Sequence, residues 1–264
     1  MSEILMTVLG IAFIFVMTTA GSALVFFFKR DISPKVNTLL LGFASGIMIA
    51  ASVWSLLIPS IDQASELGYG TLSFLPAAVG FIAGGLFLVL LDKVVPHFHN
   101  GISMDEGPNV AIRRSTKMFL AVTIHNIPEG LAVGFAFGAA AATGETAAYV
   151  AALGLAIGMG LQNFPEGAAV SLPMRALTNS RGKAFAYGAL SGAVEPVFAV
   201  LGFFLASQVA VLQPWLLAFA AGAMIFVVAE DLIPEAHPGE HPHLGTWGVM
   251  AGFALMMVLD VALG

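Results

Sequence analysis

Three glutamates that lie inside apolar stretches, Glu129, Glu166 and Glu195, are the residues of this sequence most able to do chemistry. An acid at the centre of a membrane helix costs about 2.5–3.5 kcal/mol, so three of them require a compensating partner. No lysine or arginine lies near them along the chain. Protons or metal ions remain as partners, and the spacing of the neighbouring residues favours metal.

Two of these glutamates belong to a motif that occurs twice. Residues 125–134 read HNIPEGLAVG and residues 162–171 read QNFPEGAAVS, 37 positions later. Side chains three and four positions apart share one face of a helix, so each motif places its polar residues beside its glutamate. The six residues brought together in this way are His125, Asn126, Glu129, Gln162, Asn163 and Glu166. They offer one imidazole, three amides and two carboxylates, and Glu195 would add a third carboxylate.

The ligand types indicate which ions such a site would take. The sequence contains no cysteine, which excludes disulfides and thiolate metal sites. A mixed nitrogen and oxygen set suits labile binding of zinc, cadmium, iron or manganese. Pro128, Pro165 and Pro196 each remove a helical N–H, and the carbonyls freed by proline are tolerated at membrane depth where they line a cavity.

The elements that position these residues are predicted to be membrane-spanning helices. The sequence is 58% hydrophobic and 10% charged, where a soluble domain is about 25% charged. A spanning helix needs about 20 apolar residues. Eight segments meet this requirement, and they lie at 4–28, 37–61, 72–95, 115–140, 146–172, 184–207, 211–233 and 245–263. The prediction is an all-α polytopic membrane protein with a single transmembrane domain over residues 1–264.

The ten basic residues predict the orientation of the chain. They fall only in the connections between spans 1 and 2, 3 and 4, and 5 and 6. Basic residues mark the cytoplasmic side, so both termini are predicted to lie outside a cell (inner) membrane. The two longest cytoplasmic connections are 96–114 and 234–245. The second contains metal-binding residue types that could capture released ions, namely Glu235, His237, Glu240, His241 and His243.

The repeated motif also predicts internal symmetry. Its two copies lie on consecutive spans, which run antiparallel, so the repeat implies a pseudo-two-fold axis in the membrane plane. Transporters commonly place their substrate site on such an axis near the midplane. The sequence alone does not show whether spans 1–3 mirror spans 6–8.

The HNIPEG and QNFPEG motifs on consecutive spans of an eight-span chain resemble the ZIP (Zrt/Irt-like) metal transporters, and the text around Met48 and Trp54 resembles their prokaryotic GufA-type branch. The resemblance implies a binuclear site on the six motif residues and Glu195, with Met48 as a weaker candidate. Asn163 departs from relatives that carry aspartate there, and a neutral amide weakens the second metal position.

The resemblance further implies a transport path and a mechanism. Asp260 and Ser55 would receive the ion near the outer surface. Four residues would pass it inward, namely Asp92, His97, Glu230 and Asp231. Spans 1, 4, 5 and 6 would move against spans 2, 3, 7 and 8 in alternating access, in a chain that is often dimeric. Zinc or a similar ion is then cargo and not a cofactor, the lipid bilayer is the other partner, and no enzyme activity or nucleic-acid partner is expected.

Two other functions compete with this interpretation. A proton-coupled carrier or a carboxylate-lined channel for another cation would explain the glutamates and prolines, but not His125 with amides at matched spacing. An intramembrane metalloenzyme would use HExxH, which the sequence lacks.

Overall fold

The helices of this protein account for most of the residues that can be described. The computed structural model describes residues 2–27, 33–94, 108–208, 210–236 and 242–263, and within these ranges it contains no strand. The all-α prediction is therefore confirmed for that part of the chain. The α-helices are α1 (Glu3–Ser22), α2 (Leu24–Phe27), α3 (Pro34–Ala51), α4 (Ile58–Ala64), α5 (Phe74–Val94), α6 (Pro108–Thr143), α7 (Thr146–Thr178), α8 (Arg181–Gly192), α9 (Val194–Gln208), α10 (Gln213–Val227), α11 (Ile233–Glu235) and α12 (Pro242–Leu263).

Two of the long helical stretches change to π-helical winding along their length. Ser52–Leu57 joins α3 to α4, and Val228–Leu232 joins α10 to α11. A further π-helical segment, Ser65–Tyr69, follows α4. Short 3₁₀ turns lie at Gly70–Leu72 and Ala210–Leu212. π-Helical turns occur frequently at functional sites, and the first two segments contain the predicted path residues Ser55 and Asp231.

The described helices include six that are long and apolar enough to cross a membrane. These six are Glu3–Phe27, Pro34–Leu72, Thr146–Arg175, Arg181–Ser207, Gln213–Glu235 and His243–Ala262. Between them lie α5, whose apolar stretch Phe74–Leu90 is shorter, and α6, which is 36 residues long. A multi-pass membrane protein is therefore supported, while the count of eight crossings and the outward termini remain predictions.

The predicted cytoplasmic connections are longer than the structure allows. The 96–114 connection overlaps α6, which begins at Pro108, and the 234–245 connection overlaps α12, which begins at Pro242. Both helices start on a proline, whose fixed φ angle suits the first helical position. Lys29, Arg30, His97, His237, Glu240 and His241 lie outside the described residues.

Helix pairs in this bundle are held close by glycines. The most extensive contacts are α1 with α7, α6 with α9, α3 with α12 and α5 with α10. A Cβ atom at Gly130 would overlap the carbonyl oxygen of Glu195, and one at Gly167 would overlap that of Thr18. Gly130 and Gly167 are equivalent in the repeated motif, and Thr18 and Glu195 are 177 positions apart. The α6–α9 pair and the α1–α7 pair therefore pack through equivalent positions.

The remaining helices obey the same symmetry. Gly46 packs against the Val249 carbonyl, and Gly222, which is 176 positions beyond Gly46, packs against the Phe81 carbonyl. Phe81 precedes Val249 by 168 positions, so the contact of α3 with α12 is reproduced by that of α10 with α5. The first three predicted spans therefore mirror the last three, a relation that the sequence alone did not show.

The outer surface of the bundle is apolar and its centre is polar. Large apolar side chains are exposed on α5, α9 and α12, among them Leu86, Leu90, Val197, Phe204 and Val258. The buried polar residues instead include the motif amides and carboxylates. A surface of this kind suits contact with lipid, because lipid tails are as apolar as leucine.

The glycine contacts predict a stability difference between two alanine substitutions. Gly134 packs on the Ala199 carbonyl, whereas a Cβ at Gly182 would meet no atom within 4 Å. We expect Gly134→Ala to lower the unfolding free energy by about 1–3 kcal/mol through overpacking. Gly182→Ala should change it by less than about 0.5 kcal/mol. Thermal unfolding of the purified protein in detergent measures both, and equal melting temperatures would contradict the packing.

Candidate metal centre

The structure brings the predicted site residues together where α6 and α7 meet the α8–α9 junction. Glu166 is partly exposed, and the other predicted ligands of the two motifs are buried, as is Glu195. Glu129 lies close enough to Glu166 and Glu195 for their charges to interact. The three glutamates therefore lie in one region of the protein interior.

Three oxygen atoms in this region are buried and have no hydrogen-bond donor among the described residues. They are Asn126 Oδ1, Glu129 Oε2 and Glu166 Oε2. A buried acceptor without a partner costs about 1–3 kcal/mol, and more when it carries charge. A cation bound between α6 and α7 would satisfy all three oxygens, so the donor set fits a metal ion.

Glu195 is held differently from the other two glutamates. Its Oε1 accepts a hydrogen bond from the Thr18 hydroxyl at 2.7 Å, and its Oε2 accepts one from Asn163 Nδ2 at 2.8 Å. Asn163 Oδ1 in turn accepts a hydrogen bond from Gln162 Nε2 at 2.5 Å. Thr18 was not predicted as a site residue. Thr18 is equivalent to Glu195 in the repeat, but the helix contacts are needed to see this equivalence.

The two motif asparagines make equivalent contacts to the backbone. Asn126 Nδ2 donates to the Ser191 carbonyl at 2.9 Å, and Asn163 Nδ2 donates to the Ile14 carbonyl at 3.4 Å. Ile14 and Ser191 are separated by the same number of residues as Thr18 and Glu195. Because Thr18 and Glu195 occupy equivalent positions and also touch each other, the pseudo-two-fold axis passes through this buried network.

His125 contacts the π-helical segment that follows α10. Its Nε2 atom lies 3.0 Å from Asp231 Oδ2, in the Val228–Leu232 π-helical segment. Among the described residues, no three His, Asp or Glu side chains converge closely enough to hold a metal ion on their own. The motif amides are not among these residue types, and the His125 imidazole contacts Asp231.

A small cavity of about 20 Å³ reaches the centre from one side. Gln162, Pro165 and Glu166 form its floor, and Asn37 lies in its wall near the start of α3. Asn37 was not predicted, because a single amide at a helix start has no distinctive spacing. Met48 is only 1% exposed and packs in the main hydrophobic core, so its role as a ligand remains a prediction.

Two of the predicted path residues, Ser55 and Asp260, contact each other. Ser55 donates a hydrogen bond to Asp260 Oδ1, which joins the first π-helical segment to α12. Asp260 Oδ2 is buried without a donor from the described part of the chain. Glu230 is exposed and Asp92 lies in α5. Ser55 and Asp260 are therefore in contact, and their role in receiving the ion stays a prediction.

Comparison with known proteins decides the family. The model of the ZIP Zinc transporter family matches residues 109–260, more than half of the chain. The chain belongs to the ZIP zinc transporter family. Zinc transporter ZIP11 of Homo sapiens is 38% identical, with 100% of this chain and 98% of the relative covered. Zinc transporter ZIPB of Bordetella bronchiseptica is 40% identical over 93% of this chain and 78% of its own length.

The match to the ZIP family confirms the resemblance seen in the sequence. The GufA-type branch is also supported, since Zinc transporter GufA of Myxococcus xanthus is 37% identical over 93% of this chain and 94% of its own length. Members of the ZIP family are membrane transporters, so the prediction that the chain is not an enzyme is confirmed. The intramembrane metalloenzyme is thereby excluded.

The unpartnered oxygens predict that zinc stabilises the protein. At a free zinc concentration 100 times the dissociation constant, binding should add about 2.7 kcal/mol to the unfolding free energy. Glu129→Gln removes one open carboxylate and should abolish most of this gain. Glu66→Gln changes an exposed carboxylate outside the centre and should retain it. Melting temperatures with and without zinc test the site, and an equal zinc response in both variants would place the ion elsewhere.

Proposed function

We propose that this chain carries zinc across the cell (inner) membrane toward the cytoplasm, through a site between α6, α7 and the α8–α9 junction. The observation that carries the proposal is the set of three buried oxygens that have no donor within the described ranges, together with the cavity that Glu166 lines. The names of the relatives support zinc as the cargo, because each of them is called a zinc transporter.

The proposed ligands combine imidazole nitrogen with amide and carboxylate oxygen. They are His125, Asn126, Glu129, Gln162 and Glu166. Of these, Asn126, Glu129 and Glu166 each have a buried oxygen without a donor among the described residues. Such a set lacks thiolate, so it binds zinc with moderate affinity and also accepts cadmium, iron or manganese. Moderate affinity suits a carrier, which must release its cargo. In this role zinc is the transported substrate and not a cofactor.

Release toward the cytoplasm is supported by the position of the cavity. Its wall is formed by the first half of α3, which the predicted topology places on the cytoplasmic side. Asp231 lies on that same side and contacts His125. We infer that His125 releases the metal and contacts Asp231 as the ion leaves. Moving two positive charges inward releases about 4–5 kcal/mol per 100 mV of inside-negative potential, so no nucleotide is needed.

Alternating access is supported by the way hydrogen bonds divide the helices. Thr18, Asn163 and Glu195 connect α1, α7 and α9. On the other side, Ser55 joins the first π-helical segment to α12, and Ser60 donates to the Pro214 carbonyl at 2.7 Å. In the proposal, these two groups of helices move against each other. A homodimer belongs to the proposal through the family resemblance alone.

A transport assay tests the function directly. The pure protein is reconstituted in liposomes that contain a fluorescent zinc indicator, and an inside-negative potential is imposed. We expect saturable zinc entry that Glu166→Ala abolishes, because the floor of the cavity loses its open carboxylate. Glu145→Ala, which changes an exposed carboxylate in the α6–α7 connection, should transport like the wild type.

Two results of this assay separate the competing functions. No zinc entry above empty liposomes, in protein that still binds zinc, would overturn the transporter. His125→Ala should reduce zinc entry sharply, whereas a carrier that moves protons or another cation through carboxylates alone would not depend on the imidazole.

Cysteine labelling tests the side on which the cavity opens, since the natural chain has no cysteine. We expect a membrane-impermeant maleimide to label Asn37→Cys in inside-out vesicles only. Thr71→Cys, in the exposed 3₁₀ turn between α4 and α5, should be labelled in right-side-out vesicles only. Labelling of both variants from the same side would contradict the proposed topology.

A further inference from the structure

We propose that this chain binds a single metal ion at its centre. The Asn163 amide and the Thr18 hydroxyl donate hydrogen bonds to Glu195 where a second cation would otherwise bind. The inference rests on the proposed function and concerns the number of ions that the same site holds. It departs from the binuclear site that the family resemblance implies.

Glu195 already has a donor for each of its carboxylate oxygens. The Thr18 hydroxyl donates a hydrogen bond to Oε1 at 2.7 Å, and Asn163 Nδ2 donates one to Oε2 at 2.8 Å. The side chain is fully buried, with no exposed surface. These donors occupy space beside Glu195 in which a second ion would otherwise bind, whereas Glu129 and Glu166 each keep an oxygen with no donor among the described residues.

Both polar atoms of the Asn163 amide are already engaged in hydrogen bonds. Its Nδ2 group donates to Glu195, and its Oδ1 atom accepts from Gln162 Nε2 at 2.5 Å. An aspartate at this position would set two carboxylates within hydrogen-bond distance, an arrangement that like charges cannot hold without a proton or cation between them. The amide removes that requirement because it presents N–H donors where a cation would otherwise sit.

The equivalent asparagine of the other motif shows the opposite arrangement. Asn126 Nδ2 donates a hydrogen bond to the Ser191 carbonyl, and Asn126 Oδ1 is buried without a donor from the described residues. Asn126 Oδ1 is therefore open to the ion, whereas Asn163 Oδ1 already accepts a hydrogen bond from Gln162. The two asparagines share backbone contacts but differ in what they offer to metal, and the difference follows from the presence of Glu195 beside Asn163.

The number of ions can be counted without measuring transport. Purified full-length protein in detergent is equilibrated with zinc by dialysis, and bound zinc per chain is measured by mass spectrometry of the metal. We expect one zinc per wild-type chain and two per Asn163→Asp chain, because the substitution creates a pair of carboxylates. Adding Glu195→Gln to Asn163→Asp should restore one. Asn179→Asp is the matched control, since it makes the same change at an exposed residue at the end of α7 and should keep one.

The outcomes separate this inference from the proposed function. Two zinc ions per wild-type chain would overturn the inference and leave the transporter intact. No zinc bound to the wild type would overturn the proposed function and the inference with it. If Asn163→Asp does not give a monodisperse protein, the wild-type count still decides between one ion and two. One zinc bound to a folded Asn163→Asp chain would show that the amide is not what excludes the second ion.

Discussion

A carboxylate buried inside a membrane protein must receive hydrogen-bond donors or a cation, and this requirement organises the centre of the structure. Glu195 receives donors from two other helices, so it joins α1, α7 and α9 into one unit. Glu129 and Glu166 each retain an oxygen without a donor from the described residues. Chemically identical side chains thus divide into one that holds helices together and two that remain open to an ion.

Close packing makes this arrangement possible. Each glutamate of the repeated motif is followed by a glycine, and Gly130 and Gly167 let a neighbouring backbone approach where a larger side chain would overlap it. Small residues at helix contacts are typical of membrane proteins, because lipid offers no hydrophobic force to press helices together. The short distance between backbones is also what allows asparagine side chains to reach carbonyls on the next helix.

The sequence predicted the centre well because its residues are related by helical periodicity. His125, Asn126 and Glu129 are within four positions of each other, so their common face follows from local geometry. The roles of Thr18 and Asp231 depend on helices far away in the chain, and local spacing carries no information about such contacts. The start of α6 was also missed, since Arg113 and Arg114 suggested a connection although a helix can extend beyond the membrane.

The spacing between equivalent positions differs from one pair of helices to the next, and the difference has an evolutionary meaning. Equivalent residues are 177 positions apart in α1 and α9, 176 in α3 and α10, and 168 in α5 and α12. If both halves descend from one duplicated ancestor, amino acids have been gained and lost between the helices and not within the packed contacts. The connection between the second and third helices of the later copy has become shorter by several residues, while its glycines kept their register. Selection has thus acted on the contacts and left the lengths of the connections to drift.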